Sequence, residues 1–269
     1  MSVQSNIIGK HPQEGIFSEW TECFDIECTS MKVHRQLCEV ENVRNNAIEN
    51  IAEWLVTYHL SDGNRNQLIR KKDLLNKYEL SDFASSLRIF PKADKTKKGN
   101  LGEIILTEYL SQTSGIKVLI YKLRYNPNVD QSMKGDDVLL LDSKRILVGE
   151  SKFRKTANRQ AVEDTAKTMK TSLTMPISLG FIADRLYEQG SYELANQVKE
   201  MQLNLCKESY DIKNIGFLLS TRDVGRHVES NLNITNSDFI FISLGIDDPV
   251  GFMNATFKKA EELLSEVVE

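Results

Sequence analysis

The stretch GDDVLLLDSKRILVGESKFRK, residues 135–155, sets two short apolar runs, 138–141 and 146–149, on either side of the polar tetrapeptide DSKR. Acidic residues precede the first run, and a glutamate and a lysine close the second. Short aliphatic runs bounded by turn-forming residues read as strands. The spacing predicts an antiparallel hairpin with DSKR as its loop and Leu141 paired with Ile146. Counting outward places Asp137 directly opposite Glu150, and because residues two apart on a strand share a face, Lys152 joins Glu150 there. Directly opposed side chains have Cβ atoms roughly 4.5–5.5 Å apart. Two carboxylates that close repel unless a cation intervenes, and hard divalent cations such as Mg2+ take one or two carboxylates together with water and phosphate. A loop of odd length would shift the register by one and put Asp136 in this role. Asp137 is favoured because it adjoins the apolar strand.

Working toward the N-terminus, NLGEIILTEYLSQTSG (100–115) reads as a helix with Asn100 as N-cap, Leu101, Ile104, Ile105 and Leu110 on its buried side and Gly115 as its stop. Glu103 falls on its first turn. There it either faces the two carboxylates or returns to the Asn100 N–H as the glutamate of a capping box does. The lysine-rich PKADKTKKGN before it reads as a loop, and the texture changes at Pro91. Residues 1–90 are expected to form a helical N-terminal region. Val40, Val43, Ala47, Ile48, Ile51, Trp54, Leu55 and Tyr58 recur at helical spacing, and a shorter helix covers 65–78. Nothing in 1–90 reads as chemistry, so partner contact is its expected role, with 91–269 as the core that carries the site.

Toward the C-terminus, IKVLIYKLRY (116–125) reads as a further strand. Helices are expected over about 159–174, 177–189 and 191–206, strands around 215–220 and 238–244, and a closing helix over about 249–267. The order predicts an α/β fold, a mixed sheet flanked by helices.

Composition narrows the function. The 269 residues are 41% apolar and 27% charged with a net charge of −4, so bulk charge does not make this a nucleic-acid coat. Local basic stretches remain, Lys92, Lys95, Lys97 and Lys98 in one and Lys152, Arg154, Lys155 and Arg159 in the other, each readable as phosphate contacts or as solvated surface. Cys23, Cys28, Cys38 and Cys206 show no CxxC spacing, and a zinc site of Cys28, His34 and Cys38 is disfavoured because structural zinc asks for four regularly spaced ligands. No run approaches the roughly 18 apolar residues of a membrane span, and MSVQSNIIGKHPQEG lacks a basic-then-apolar leader pattern, so a cytoplasmic protein without a membrane partner is expected. There is no G-x-x-x-x-G-K-[ST] phosphate loop, G-x-S-x-G elbow or H-E-x-x-H pair.

The constellation itself suits hydrolysis. A bound cation lowers the pKa of water and polarises a phosphoryl oxygen, while the Lys152 ammonium positions the water and stabilises developing charge, with no covalent intermediate. The ordered set, Glu103 on a helix, Asp137 at a strand and Glu150-Ser151-Lys152 on the next, resembles the PD-(D/E)xK phosphodiesterases, the restriction-endonuclease-like nucleases, although no proline precedes the aspartate. That resemblance implies a restriction-endonuclease-like fold, a catalytic set of Glu103, Asp137, Glu150 and Lys152, and Mg2+, or Mn2+ in its place, on Asp137 and Glu150. More narrowly, KKGNLGEIILTEYL, KGDDVLLLD and ILVGESKFRK resemble the nuclease subunit of the Hachiman anti-phage defence system. This implies a DNA endonuclease held by a partner superfamily 2 helicase and released when the helicase engages DNA. Arg154, Lys155 and Arg159 are the expected DNA contacts, positioning a duplex through its phosphates without reading sequence. Two rivals stand beside this reading: an inactive nuclease-fold scaffold that binds a helicase or DNA ends, and a surface ion-pair cluster of little energetic worth.

Overall fold

The computed structural model describes residues 2–29, 32–207 and 210–265. In chain order, α1 (Val3–Ile8) and α2 (Ile16–Trp20) lead into β1 (Thr21–Asp25) and β2 (His34–Glu39), followed by α3 (Arg44–His59), α4 (Asp62–Lys77), α5 (Ser81–Ser86) and α6 (Asp94–Ser114). Then come β3 (Val138–Leu141), β4 (Arg145–Phe153), α7 (Arg159–Ala166), α8 (Leu179–Glu188), α9 (Tyr192–Asn204), β5 (Asp211–Thr221), α10 (Val224–Asn231), β6 (Phe239–Ile246) and α11 (Pro249–Leu263). Of the expected closing helix, residues 266 and 267 lie outside the described residues. The described strands form one sheet in the order β1-β2-β6-β5-β4-β3. Antiparallel hairpins make both edges, and the pairings between them are parallel. This is the expected α/β fold with a mixed sheet flanked by helices.

Each face of the sheet carries its own apolar layer. Leu55, Leu106, Phe252 and Phe257 belong to the layer under α3, α6 and α11, and Val162, Ile182, Val198 and Val228 to the layer under α7 to α10. Strands covered on both faces must be apolar on both, and β6, FIFISLGI, is buried at every position.

The hairpin forms in the predicted register, with Leu141 opposite Ile146 and Val138 opposite Gly149. Its loop is closed by the Asp142 carboxylate, which accepts from the N–H groups of Lys144 at 3.0 Å and Arg145 at 2.9 Å, so turn chemistry fixes the pairing above it.

Three expectations are corrected. The segment 116–125 is not a strand: it passes the sheet edge and ends in a 3-10 turn, Lys122–Tyr125. Ile116 and Leu123 pack into one layer and Ile120 into the other, so its apolar residues serve two cores and need no ladder. The lysine-rich loop is the beginning of α6. Ala93 is the N-cap, Asp94 places its charge at the positive end of the helix, and Asn100, which is buried, lies well inside the helix and caps nothing. Lysine favours a helix, so the charged run continues the helix rather than interrupting it.

The N-terminal region is mainly helical, as expected, but it also supplies β1 and β2, and β2 runs parallel to β6 with His34 opposite Phe241. Polar residues hid this strand. His34 is bonded through Nδ1 to Glu229 at 2.6 Å and through Nε2 to Ser243 Oγ at 2.8 Å. Arg35, 1% exposed, donates to both Asp25 oxygens at 2.6 and 3.0 Å, to the Gly9 carbonyl at 2.9 Å, to Ser5 Oγ at 3.1 Å and to the Tyr109 hydroxyl at 3.4 Å.

Candidate active site

At the opposite edge, β4 carries Glu150 and Lys152 on one face. Lys152 Nζ donates to the Glu150 carboxylate, and the two side chains are 29% and 28% exposed. Asp137 stands one residue before the Val138–Gly149 pair, and its Oδ2 accepts from the Ser151 N–H at 2.9 Å, which fastens it across the hairpin beside Glu150.

Asp136 has other work. Its carboxylate accepts from the N–H groups of Ile177 at 3.0 Å and Ser178 at 2.9 Å, holding the entry to α8, and its own N–H donates to Ser178 Oγ at 2.9 Å. The turn leading here requires Gly135: φ is +118°, and a Cβ would come within 2.7 Å of Ser178 Oγ. Register and hydrogen bonding together distinguish Asp137, at the entry to β3 and bonded to β4, from Asp136, bonded to the entry of α8.

Glu103 does not cap a helix, because α6 begins nine residues earlier at Asp94. It points instead to Lys122, whose Nζ lies 3.1 Å from Oε1. Burial, with the negative charge of Asp137 adding to it and Lys122 opposing, pushes the Glu103 carboxyl up to about 7. What brings this helix so near the strand is Gly102, where a Cβ would sit 2.5 Å from Ser151 Oγ. That hydroxyl is buried and has no hydrogen-bond partner among the described residues.

A cleft of about 470 Å³ opens beside Asp137 and Lys152, lined also by Lys95, Lys98 and Gly99 of α6, by Ser132, and by Ser151 and the run from Phe153 to Lys155. The structure thus brings together members of both basic stretches, Lys95 and Lys98 with Lys152, Arg154 and Lys155, around Asp137. Arg154 also pairs with Asp164 at 3.3 Å. Arg159 is not in the cleft lining; it is 76% exposed and bonded to Glu163 at 2.7 Å. Lys92 and Lys97 face a different cleft with Lys72 and Arg88.

The donor set fits a hard divalent cation. Asp137 and Glu150 offer only carboxylate oxygens and remain partly open to solvent, leaving other positions to water and phosphate in the manner of Mg2+. Among the described residues no three His, Cys, Asp or Glu side chains gather closely enough to form a metal cage of their own. Both ring nitrogens of His34 are already engaged, which removes it as a zinc ligand.

Lys122 was missed by sequence reasoning, since it sat inside a presumed strand. The available signal was a lysine interrupting the apolar IKVLIYKLRY. The helical placement of Lys95 and Lys98 was missed with the start of α6.

Comparison with known proteins gives concordant results. A family model described as HamA matches residues 15–260. The Hachiman protein HamA of Bacillus cereus is 53% identical over 266 residues, covering 99% of this chain and 98% of that protein.

Proposed function

The chain belongs to the HamA family of Hachiman defence proteins, and from that premise and the geometry of its cleft we propose that it is a metal-dependent DNA endonuclease of the PD-(D/E)xK type, the effector of its defence complex. The observation that carries the reading is Asp137, fastened by the Ser151 N–H, opposite Glu150 in the hairpin register and lining a lysine-rich cleft with Lys152. Asp137 and Glu150 would hold Mg2+, or Mn2+ in its place. When bound, the ion supplies Lewis acidity toward a phosphoryl oxygen and a more acidic water.

The chain's own groups do the rest. Lys152 orients the attacking water and stabilises negative charge on the phosphate. Glu103 supports the site from behind Asp137. Lys95, Lys98, Arg154 and Lys155 seat the phosphate backbone, which positions DNA without specifying sequence. Arg159, turned to solvent beside Glu163, contributes at the margin.

Control by a superfamily 2 helicase is part of the same proposal, with the N-terminal region as the contact surface. Leu74 and Tyr78, at the end of α4, are 55% and 68% exposed, and Phe83 of α5 is 67% exposed, an apolar edge of the kind that partners cover. No described helix is long and apolar enough to cross a membrane.

The test is cleavage of supercoiled plasmid by the purified chain, alone and with the helicase and ATP, in Mg2+ and in EDTA, beside Glu150→Ala/Lys152→Ala. Metal-dependent loss of supercoils that the variant lacks supports the nuclease, and dependence on the helicase supports the control. Equal inertness of both proteins in every condition would transfer the reading to the scaffold that binds a helicase or DNA ends.

A further inference from the structure

Lys122 lies outside the expected catalytic set, yet its side chain joins α6 to the turn that presents Asp137. Its Nζ is 3.1 Å from the Glu103 carboxylate, 2.7 Å from the Asp136 carbonyl and 3.4 Å from the Asp137 carbonyl. An ammonium has three protons, and here it has three acceptors. Lys122 and Glu103 are each 14% exposed, so the contact is shielded from water and the geometry is restrained.

The same turn is held from its other side. Ser178 Oγ accepts from the Asp136 N–H, and the Asp136 carboxylate takes two N–H groups at the entry to α8. Lys122 closes the ring of contacts by gripping the carbonyls. Without it, two carbonyls would lose their donor, and Glu103 would lose the partner that ties α6 to this turn. The turn would then be held from the α8 side alone, and Asp137, whose carboxylate is tied by a single N–H, would be the group left free to move.

We propose that Lys122 is a positioning residue for the cation site: it fixes the backbone of the Asp136–Asp137 turn and ties it to Glu103 of α6, so that Asp137 and Glu150 offer their oxygens to one ion. The inference deepens the nuclease reading, but cation binding tests it independently of cleavage.

The experiment titrates Mn2+ into the full chain, following the free-ion signal by electron paramagnetic resonance. It compares wild type, Lys122→Met, Lys122→Arg and Lys122→Met/Glu103→Gln, each first shown to be folded by circular dichroism. Groups that orient metal ligands typically carry about 10- to 100-fold in affinity, so Lys122→Met is expected to weaken Mn2+ binding by at least about tenfold. Lys122→Arg should restore part of it, and Glu103→Gln should restore nothing in the methionine background, because the grip on the Asp136 and Asp137 carbonyls is still missing. If Lys122→Met does not fold, Lys122→Gln carries the same comparison.

In cleavage assays the Mg2+ concentration for half-maximal rate should rise in parallel, with the rate recovered at high Mg2+. A folded Lys122→Met protein that binds Mn2+ as wild type does, whatever its melting temperature, overturns the proposal, and so does a wild type that binds no Mn2+. If wild type binds Mn2+, Lys122→Met binds it weakly and neither cuts DNA under any condition, the positioning role stands and the nuclease reading falls.

Discussion

At the β1 edge of the sheet, Arg35 is 1% exposed and makes five hydrogen bonds, two of them to Asp25. At the β3 edge, Glu150 and Lys152 are 29% and 28% exposed and bonded to each other, and Lys152 lines an open cleft with Asp137. Both edges break the apolar pattern of their strands with charge. The first closes its guanidinium with protein acceptors, and the second leaves oxygens and an ammonium available to something that arrives from solvent. A charge in a strand is therefore not a sign of function by itself. What separates the two cases is whether its hydrogen-bonding capacity is already met.

The difference can be broken most directly at Arg35. Removing the buried guanidinium gives up its charge-assisted bonds to Asp25, whose side chain is 21% exposed and can turn to water, at a cost of about 1.5–3 kcal/mol. Arg35→Met should lower unfolding free energy by that order in urea titrations. A loss below about 1 kcal/mol would mean that this edge is no more structural than the other. Lys152→Met should do the opposite, lowering the cleavage rate about 10²- to 10³-fold, as loss of one charge-stabilising donor does. Its unfolding free energy should shift by less than about 1 kcal/mol, because the pair it breaks is exposed. Parental cleavage by this variant would end the assignment.

The ground between the edges sharpens the contrast through His59. Its Nδ1 is bonded to the Leu55 carbonyl at 2.7 Å and its Nε2 lies 3.1 Å from Asn100 Nδ2, joining α3 to α6 behind the site. Burial lowers its pKa to about 4, with the Leu55 carbonyl opposing. The unfolded chain takes a proton near pH 6.5 that the folded chain refuses until about pH 4, so this contribution to stability is constant above pH 6.5 and is lost as pH falls toward 4. Between pH 7 and pH 5, wild type should lose about 2 kcal/mol more than His59→Gln in denaturant titrations. Equal losses would show that His59 charges freely and that α6 is less firmly held than its contacts indicate.

The smallest effect separates two kinds of basic residue at the open edge. Lys98→Gln removes a cation from the cleft lining, and Arg159→Ala removes one paired with Glu163 outside it. In DNA binding measured across a salt series, the first should reduce the slope of log affinity against log salt by about one phosphate contact, and the second should leave it nearly unchanged. A reversal would move the DNA path from the cleft to the α7 surface.

The hairpin was legible because its determinants are local: two apolar runs, a turn that Asp142 closes with its own carboxylate, and a period of two that carries Asp137 to Glu150. Other elements depend on contacts far along the chain. β2 reads as polar until Asp25 and Glu229 are seen to satisfy Arg35 and His34. The segment 116–125 alternates like a strand, but its neighbours are two side-chain layers and no backbone. The start of α6 was displaced because Asn100 resembles a cap in sequence, whereas in space it meets His59. Lys122 was invisible for the same reason, since its meaning lies in its distance to Glu103.

The pairing of β2 with β6 has a consequence for synthesis. Glu39 leaves the ribosome long before Phe239, and at about 5–20 residues per second the interval is on the order of tens of seconds. During it, α6, β3 and β4 emerge with Glu103, Asp137, Glu150 and Lys152, while β5 and β6, which complete the sheet beside them, are still to come. A nascent chain therefore carries every side chain of the proposed site without the framework that aligns them, and a cell making a protein of this proposed activity meets a finished blade only after nearly the whole chain has been released.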